Sequence, residues 1–461
     1  MNLTLLHLAN AISARIVGTV DEKIASSLVL QGRFAIDSRH LRPGEVFVAL
    51  AGKKTDGHQF VPQAFAAKAS ACIVRDVFHP NLGIHLVVED PRTALYRAAK
   101  AIRETLVNVR MVAITGSCGK TSTKEFTAAA LQAFGTTTAT EGNANNDLGV
   151  PITLSAFRGN EKFGVLEAGM NAFGEIDFLS SLIQPEVGVV TSILPAHLER
   201  LGSLDGVRRA KGEMATHVQK AWVVPACEPY LIELGRRQNL HVITFGVESI
   251  ADFRLEHCDL NTDTTHAVCT TPQGRMEILV PAPGEHQALN ALASLAAVYA
   301  MGLDLHTAAY GLAKARLPGA RSRLFSIGGV TFLDDTYNAS PGSMEAVFAW
   351  VAKIHSGHVH FVVGDMLELG DHAHDWHRQI GIRAAELSPK SVFYVGEHAQ
   401  AFSLGLNLPE RFFHCQTPEE AADQLILRLA YGDWVVIKAS HGVGLHKTVE
   451  RIYEITSCTC T

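Results

Sequence analysis

The chain has 461 residues, more than one ordinary hydrophobic core accommodates, so roughly two to four domains are expected. An apolar fraction of 47% and a charged fraction of 19% describe a soluble globular protein, and a net charge of -6 excludes a nucleic-acid binder held mainly by phosphate contacts. The longest apolar run, 288–303, is too short to span a bilayer and carries Asn290, so no membrane insertion is expected. The opening stretch from Met1 to Ala14 lacks a basic region and holds His7 and Asn10, so it does not read as a signal peptide. Most of the eight cysteines stand singly in apolar segments, as reduced cytoplasmic thiols do. Cys458-Thr-Cys460 could bind metal or oxidise, but no second Cys/His pair is near it and a frayed end is the simpler reading.

Residues 1–105 read as a small α/β unit. Its notable features are two turns, Asp37-Ser38-Arg39 and Asp56-Gly57-His58, on either side of a strand near Glu45–Leu50. Arg39 offers a fork for a phosphate and Asp37 and Ser38 offer hydrogen bonds; the same residues also suit plain solvated turns.

Residues 106–317 alternate apolar runs with helical patterns, which predicts βαβ units and a mainly parallel sheet. The run Met111–Ile114 ends in Gly116-Ser117-Cys118-Gly119-Lys120-Thr121-Ser122, and Phe126, Ala130 and Phe134 then repeat at helical spacing. Strand, glycine turn, Lys-Thr and helix together form a phosphate cradle: amides and helix N-terminus for oxygens, Lys120 as point charge, the Thr121 hydroxyl for magnesium. The usual P-loop has a glycine where Ile114 stands, so this is a compact variant. Asn143, Asn145 and Asn146 lie in a polar loop that could meet phosphate or cap turns. Glu167 ends the next strand and is placed to hold a cation, directly or through water, or is an ordinary strand-end acid. His197 follows a further strand end and admits both a ligating and a structural role. Lys211 lies in a helical stretch and reads, from pattern alone, as a solvated charge. His286 and Asn290 share a helix face and could flank a base or merely pack.

Residues 318–461 follow a loop at Pro318–Arg323 and form a second doubly wound pattern without a glycine-rich phosphate loop. Its strand ends carry Asp334-Asp335-Thr-Tyr337-Asn338, then Gly364-Asp365-Met-Leu-Glu368, then Lys438-Ala-Ser440-His441. Such a domain usually binds a substrate and closes over its neighbour's nucleotide.

Several of these motifs together resemble the bacterial Mur ligases. The likeness rests on Thr115–Lys124, Glu141–Pro151, Leu166–Met170 with Gly174–Ile176, Pro195–Glu199 with Ala210–Glu213, Asp334–Met344 and Gly364–Gly370, and runs from Asp37 to Lys438. It implies three α/β domains: 1–105 binding a UDP-sugar, a central ATPase at 106–317 and a Rossmann-like ligase domain at 318–461. The implied activity is ATP-dependent joining of D-alanyl-D-alanine to UDP-N-acetylmuramoyl-tripeptide through an acyl phosphate, in peptidoglycan precursor synthesis, by a cytoplasmic monomer. The Tyr337–Pro341 and Asp365–Gly370 runs indicate that member over its relatives. Implied catalytic residues are Lys120, Lys211 (as a carbamate), His197 and Arg321. The P-loop residues, Asn146, Asn290, Asp335 and Arg321 would hold ATP, and Thr121, Glu167 and His197 two magnesium ions. Asp37, Ser38, Arg39, Asp56, Gly57, His58, Asn143 and Asn145 would face the UDP-linked substrate, and Tyr337, Asn338, Asp365 and Glu368 the dipeptide.

The sequence departs from the family pattern at Ser192-Ile193-Leu194, where Asn-Ile-Gly is usual, at Gln287 for Asn, and at Ala439-Ser440-His441 for Gly-Ser-Arg. It lacks the Asp-Asn-Pro-Arg loop expected of a diamino-acid ligase, and the Asn-Lys-x-Asp motif of a GTPase switch. A folate-glutamylating relative remains a rival to be separated by substrate.

Overall fold

The computed structural model describes residues 3–18, 22–52, 55–77, 79–319, 323–355 and 358–458. Arg321 and Cys460 lie outside the described residues.

Three large sheets follow one another along the described chain, with a small antiparallel pair, Leu3–Thr4 and Val29–Leu30, beside the first. In the first, Phe34–Ala35, Val46–Val48, Ala71–Val74 and His85–Val87 run parallel, and Arg15–Val17 closes one edge antiparallel. The Asp37 and Asp56 turns follow the carboxyl ends of the adjacent strands Phe34–Ala35 and Val46–Val48.

The central sheet has nine strands, with the phosphate-loop strand Arg110–Thr115 between Val187–Val190 and Phe163–Glu167. All pairings from Thr137–Ala139 across to Phe253–Leu260 are parallel; helices make the crossovers expected from the alternating pattern, except that a short loop joins His241–Gly246 to Phe253–Leu260. The connections leave Arg110–Thr115 first to one side and later to the other, so this strand marks the point where ligands enter such sheets. The segment 241–283 is more regular than its sequence suggests. Phe253–Leu260, Thr265–Thr271 and Gly274–Val280 form an antiparallel extension of the same sheet. Only one of its faces is packed, so its strands carry fewer apolar residues than the buried parallel ones.

The third sheet orders Arg323–Ile327, Val330–Asp334, Trp434–Lys438, Val359–Gly364, Ser391–Val395 and Phe412–Cys415, antiparallel at the first pair and parallel beyond. The ends of Val330–Asp334, Val359–Gly364 and Trp434–Lys438 therefore lie side by side and face the central lobe.

The first two lobes share a hydrophobic core. Leu5, Leu86 and Leu95 belong to one buried cluster with Leu154, Leu166 and Val224. Helix Pro91–Thr105 stitches them: Asp90 caps it, Leu95, Ala98 and Ile102 face inward, and Arg103 donates to the Ile183 carbonyl at 2.7 Å. The third lobe has its own clusters on the two faces of its sheet, around Phe361 and around Val435, and among the described residues of the central lobe Leu260 alone packs against them.

Candidate active site

Strand Arg110–Thr115 is fully apolar and buried from Met111 to Ile114 and delivers the chain to Gly116 with no slack. Gly116 has φ 150° and Gly119 φ 82°, and a Cβ at either would lie 1.9 Å from Thr191 Oγ1 or 2.2 Å from Asn290 Oδ1. The positive φ and the crowding each require glycine, which explains both loop glycines. Helix Lys120–Gln132 starts on Gly119, and its inward face includes Phe126 and Ala130. Lys120 Nζ donates to the Gly116 carbonyl at 2.8 Å, so its charge sits over the loop.

The 191–194 segment clasps this loop from the next strand. Ser117 N donates to the Ser192 carbonyl at 2.9 Å, Cys118 N to Ser192 Oγ at 3.0 Å, and Leu194 N to Ser117 Oγ at 3.0 Å. Ser192 thus serves the loop directly, a role its sequence position did not announce.

Glu167 is 1% exposed and takes two hydrogen bonds, from the Thr121 hydroxyl at 2.7 Å and from Asn145 Nδ2 at 2.6 Å. The three residues predicted from separate motifs therefore meet beside the phosphate loop. Asn146 lines the same cleft while its side chain caps helix Gly149–Ala156 through Gly149 N at 2.9 Å; Asn143 also lines the cleft. The asparagine loop is tied to the first lobe by Arg33–Glu141 at 2.7 Å and by Tyr96 and Arg92 on Asp147.

His197 has φ 53°, and its Nδ1 lies 2.5 Å from Glu368 Oε2 of the third lobe without hydrogen-bond alignment. Glu368 itself has φ 66°, so two non-glycine residues in the left-handed region face each other across the cleft. Lys211 is 1% exposed, not the solvated charge its pattern suggests. Burial first, and the charge of Lys120 second, push its pKa well below the ordinary lysine range.

The third lobe completes a cleft of about 680 Å³. Asn290 faces the loop from helix Glu285–Ala300, with its Nδ2 donating to Gln287 Oε1 at 3.2 Å. Across from it, Lys438 Nζ donates to Asp335 Oδ2 at 2.5 Å and to the Asn338 carbonyl at 2.7 Å, which pins the turn bearing Asp335, Tyr337 and Asn338. His286 sits between these groups, and desolvation lowers its pKa to about 4 against the pull of Asp335. Cys118 Sγ lies 3.2 Å from Ser340 Oγ, at the cap of helix Pro341–Ile354.

Two groups of expected site residues do not join this cleft. Asp365 is turned inward, where its carboxylate takes Tyr394 OH at 2.9 Å and Glu397 N at 2.8 Å; Leu367, Glu368 and Leu369 line the cleft in its place. The strand-end position suggested an exposed acid, but three donors inside the lobe claim it. The first-lobe turns lie apart from this cleft. Arg39 forks onto Asp37 and holds its carboxyl below the usual range, and Ser38 Oγ reaches Gln63 Oε1 at 3.4 Å. Asp56 takes the N–H and ring of His58 at 3.0 and 2.7 Å, and a Cβ on Gly57 would strike the Leu50 backbone at 2.7 Å.

Family models for the Mur ligase catalytic, middle and glutamate ligase domains match residues 34–109, 114–298 and 320–441. The UDP-N-acetylmuramoyl-tripeptide–D-alanyl-D-alanine ligase of Escherichia coli is 35% identical over 92% of this chain and 94% of its own. This chain belongs to the Mur ligase family. Among solved Mur ligases, a MurF from Acinetobacter baumannii superposes with TM-score 0.88 at 31% identity, covering 98% of this chain and 99% of its own. A Thermotoga maritima MurF in complex with ADP superposes with TM-score 0.80 at 28% identity, covering 93% and 99%. The Mur ligase three-domain α/β architecture is thus the one described above. Among the described residues no helix is long and apolar enough to cross a membrane.

Proposed function

We infer that the protein is the ATP-dependent ligase that adds D-alanyl-D-alanine to UDP-N-acetylmuramoyl-tripeptide in peptidoglycan precursor synthesis. The observation that carries this is 35% and 32% identity, over 92% and 96% of the chain, to ligases of that name, joined to a phosphate loop whose Thr121 is bonded to a buried carboxylate under a third lobe. We further propose domain limits of 1–105, 106–317 and 318–461, a monomeric state, a cytoplasmic location and two magnesium ions.

The donor set suits magnesium. Thr121 Oγ1 and the Glu167 carboxylate are hard oxygen donors next to the loop, and His197 is a further donor on the same cleft. Among the described residues no cluster of three or more His, Cys, Asp or Glu forms a metal cage alone, which fits an ion that takes much of its shell from phosphate and water. Bound there, magnesium would neutralise charge on the triphosphate.

The rest of the chemistry is positioning. The loop amides and Lys120 align the triphosphate, with Asn290 and Asp335 on the nucleoside side; the family resemblance implies that Arg321 would meet the γ-phosphate. A substrate carboxylate attacks the γ-phosphorus and ADP departs. The dipeptide amine then attacks the acyl carbon, losing a proton, and phosphate leaves. Lys211 supplies a buried amine beside Lys120, suited to modification as a carbamate that would balance the cationic loop. Asp37, Ser38, Arg39 and the Asp56-Gly57-His58 turn receive the UDP end, and Tyr337, Asn338 and Glu368 the dipeptide.

The test is phosphate release from ATP. It should require both the UDP-tripeptide and D-alanyl-D-alanine; release with neither, or with glutamate in place of the dipeptide, would overturn the assignment. Running lysine- and diaminopimelate-containing tripeptides side by side identifies the third residue.

A further inference from the structure

We propose that His377 is a positioning residue for the amine-donor wall of the cleft: by accepting the Met366 amide on Nε2 it fixes the turn that presents Glu368 to His197. The inference rests on the functional reading above.

His377 is 1% exposed in helix Ala373–Glu386. Its Nδ1 lies 2.6 Å from the Ala373 carbonyl, which can only accept, so the proton is on Nδ1. That leaves Nε2 as a bare acceptor, and Met366 N donates to it at 2.8 Å. The tautomer is fixed by the helix and the loop by the tautomer.

The surroundings keep the ring neutral. His398 stacks on it with centroids 4.3 Å apart, Asp365 Oδ1 lies 4.0 Å from Nε2, and the remaining charged neighbour is His374. Desolvation brings the pKa down to about 4. A protonated Nε2 would point a second donor at the Met366 N–H.

The turn needs such an anchor. Glu368 has φ 66° and Gly370 φ 56°, and a left-handed non-glycine residue persists only where its neighbours over-determine it. Leu367 N donates to Ser440 Oγ at 2.9 Å, Ser440 N to the Asp365 carbonyl at 3.0 Å, and a Cβ on Gly370 would come within 3.1 Å of Glu199. His377 and Ser440 thus tie down consecutive amides just ahead of Glu368. The cleft wall they position belongs to the lobe assigned to the dipeptide, not to the lobes that hold the phosphate loop and the UDP end.

The experiment is steady-state phosphate release with each of the three substrates varied in turn. His377→Leu strands the Met366 amide and should raise KM for D-alanyl-D-alanine about tenfold, with KM for ATP and UDP-tripeptide within about twofold of wild type. His377→Gln, whose side-chain oxygen can accept in place of Nε2, should restore the dipeptide KM. Equal changes in all three KM values, no change in any, or no rescue by glutamine in folded protein would overturn the proposal. If His377→Leu fails to fold, Ser440→Ala removes the adjacent anchor and should raise the same KM; an unchanged value there overturns it too. A wild-type protein that never uses the dipeptide would show instead that the functional reading is wrong, and the inference would go with it.

Discussion

Lys120 and Glu167 are the two side chains on which the proposed chemistry turns. Lys120→Ala removes the cation over the loop and should cut phosphate release by about a hundredfold or more, measured at saturating substrates. Glu167→Gln keeps a partner for the Thr121 hydroxyl but loses the charge, so the fold should hold while the magnesium concentration for half-maximal rate rises. Lys211→Arg would set a permanent cation at a site whose burial and neighbour both oppose charge, and turnover should fall about tenfold or more with little change in KM. The sequence pointed to the loop, Glu167 and His197 because the first follows a strand, the second ends one and the third lies in the segment after one. It could not announce the depth of Lys211, since a lysine on a helix normally reaches water. Asp365 shows the converse: position suggested a ligand, and contacts from residues about thirty places away turned it into a structural acid.

At the level of elements, the loop and its clasp behave as one unit. Gly119→Ala would add a Cβ at φ 82° and 2.2 Å from Asn290 Oδ1, so both the loop and helix Glu285–Ala300 must shift. KM for ATP should rise well above tenfold while the melting temperature drops by only a few degrees, the left-handed strain being about 1–2 kcal/mol. The parallel strands were legible because burial on both faces makes continuous apolar runs. At 253–280 short strands and turns were legible but their joining to the central sheet was not, because a half-exposed antiparallel strand dilutes its signal with polar residues. The clasp at 191–194 was flagged only as a departure, Ser192 for asparagine. Its hydroxyl accepts the Cys118 amide and its carbonyl accepts the Ser117 amide, a pairing that no local pattern encodes.

Across the whole molecule, the third lobe is set apart by its own core, and burial lowers the pKa values of histidines inside it. The His377 pKa falls from the ordinary 6.5 to about 4, and His360 is also lowered by burial although Asp433 accepts from it at 3.1 Å. A histidine that binds its proton less readily when folded contributes stability present above pH 6.5 and lost as pH falls toward the folded pKa. For His377 alone this is roughly 3 kcal/mol, so the melting temperature followed by calorimetry should fall between pH 7 and 4. His377→Gln should flatten that slope. Three domains were legible as three runs of alternating strand and helix; that two of them share one core was not, because the stitching residues on helix Pro91–Thr105 look like any amphipathic face. The cleft consequently has one wall on a separately cored lobe, and Cys118 and Ser340 meet across it at 3.2 Å. In Ser340→Cys the two sulfurs could be bridged by mild oxidation, locking the jaws shut; turnover should stop on oxidation and return with a reducing agent, whereas undiminished turnover in the bridged form would mean that catalysis needs no opening there.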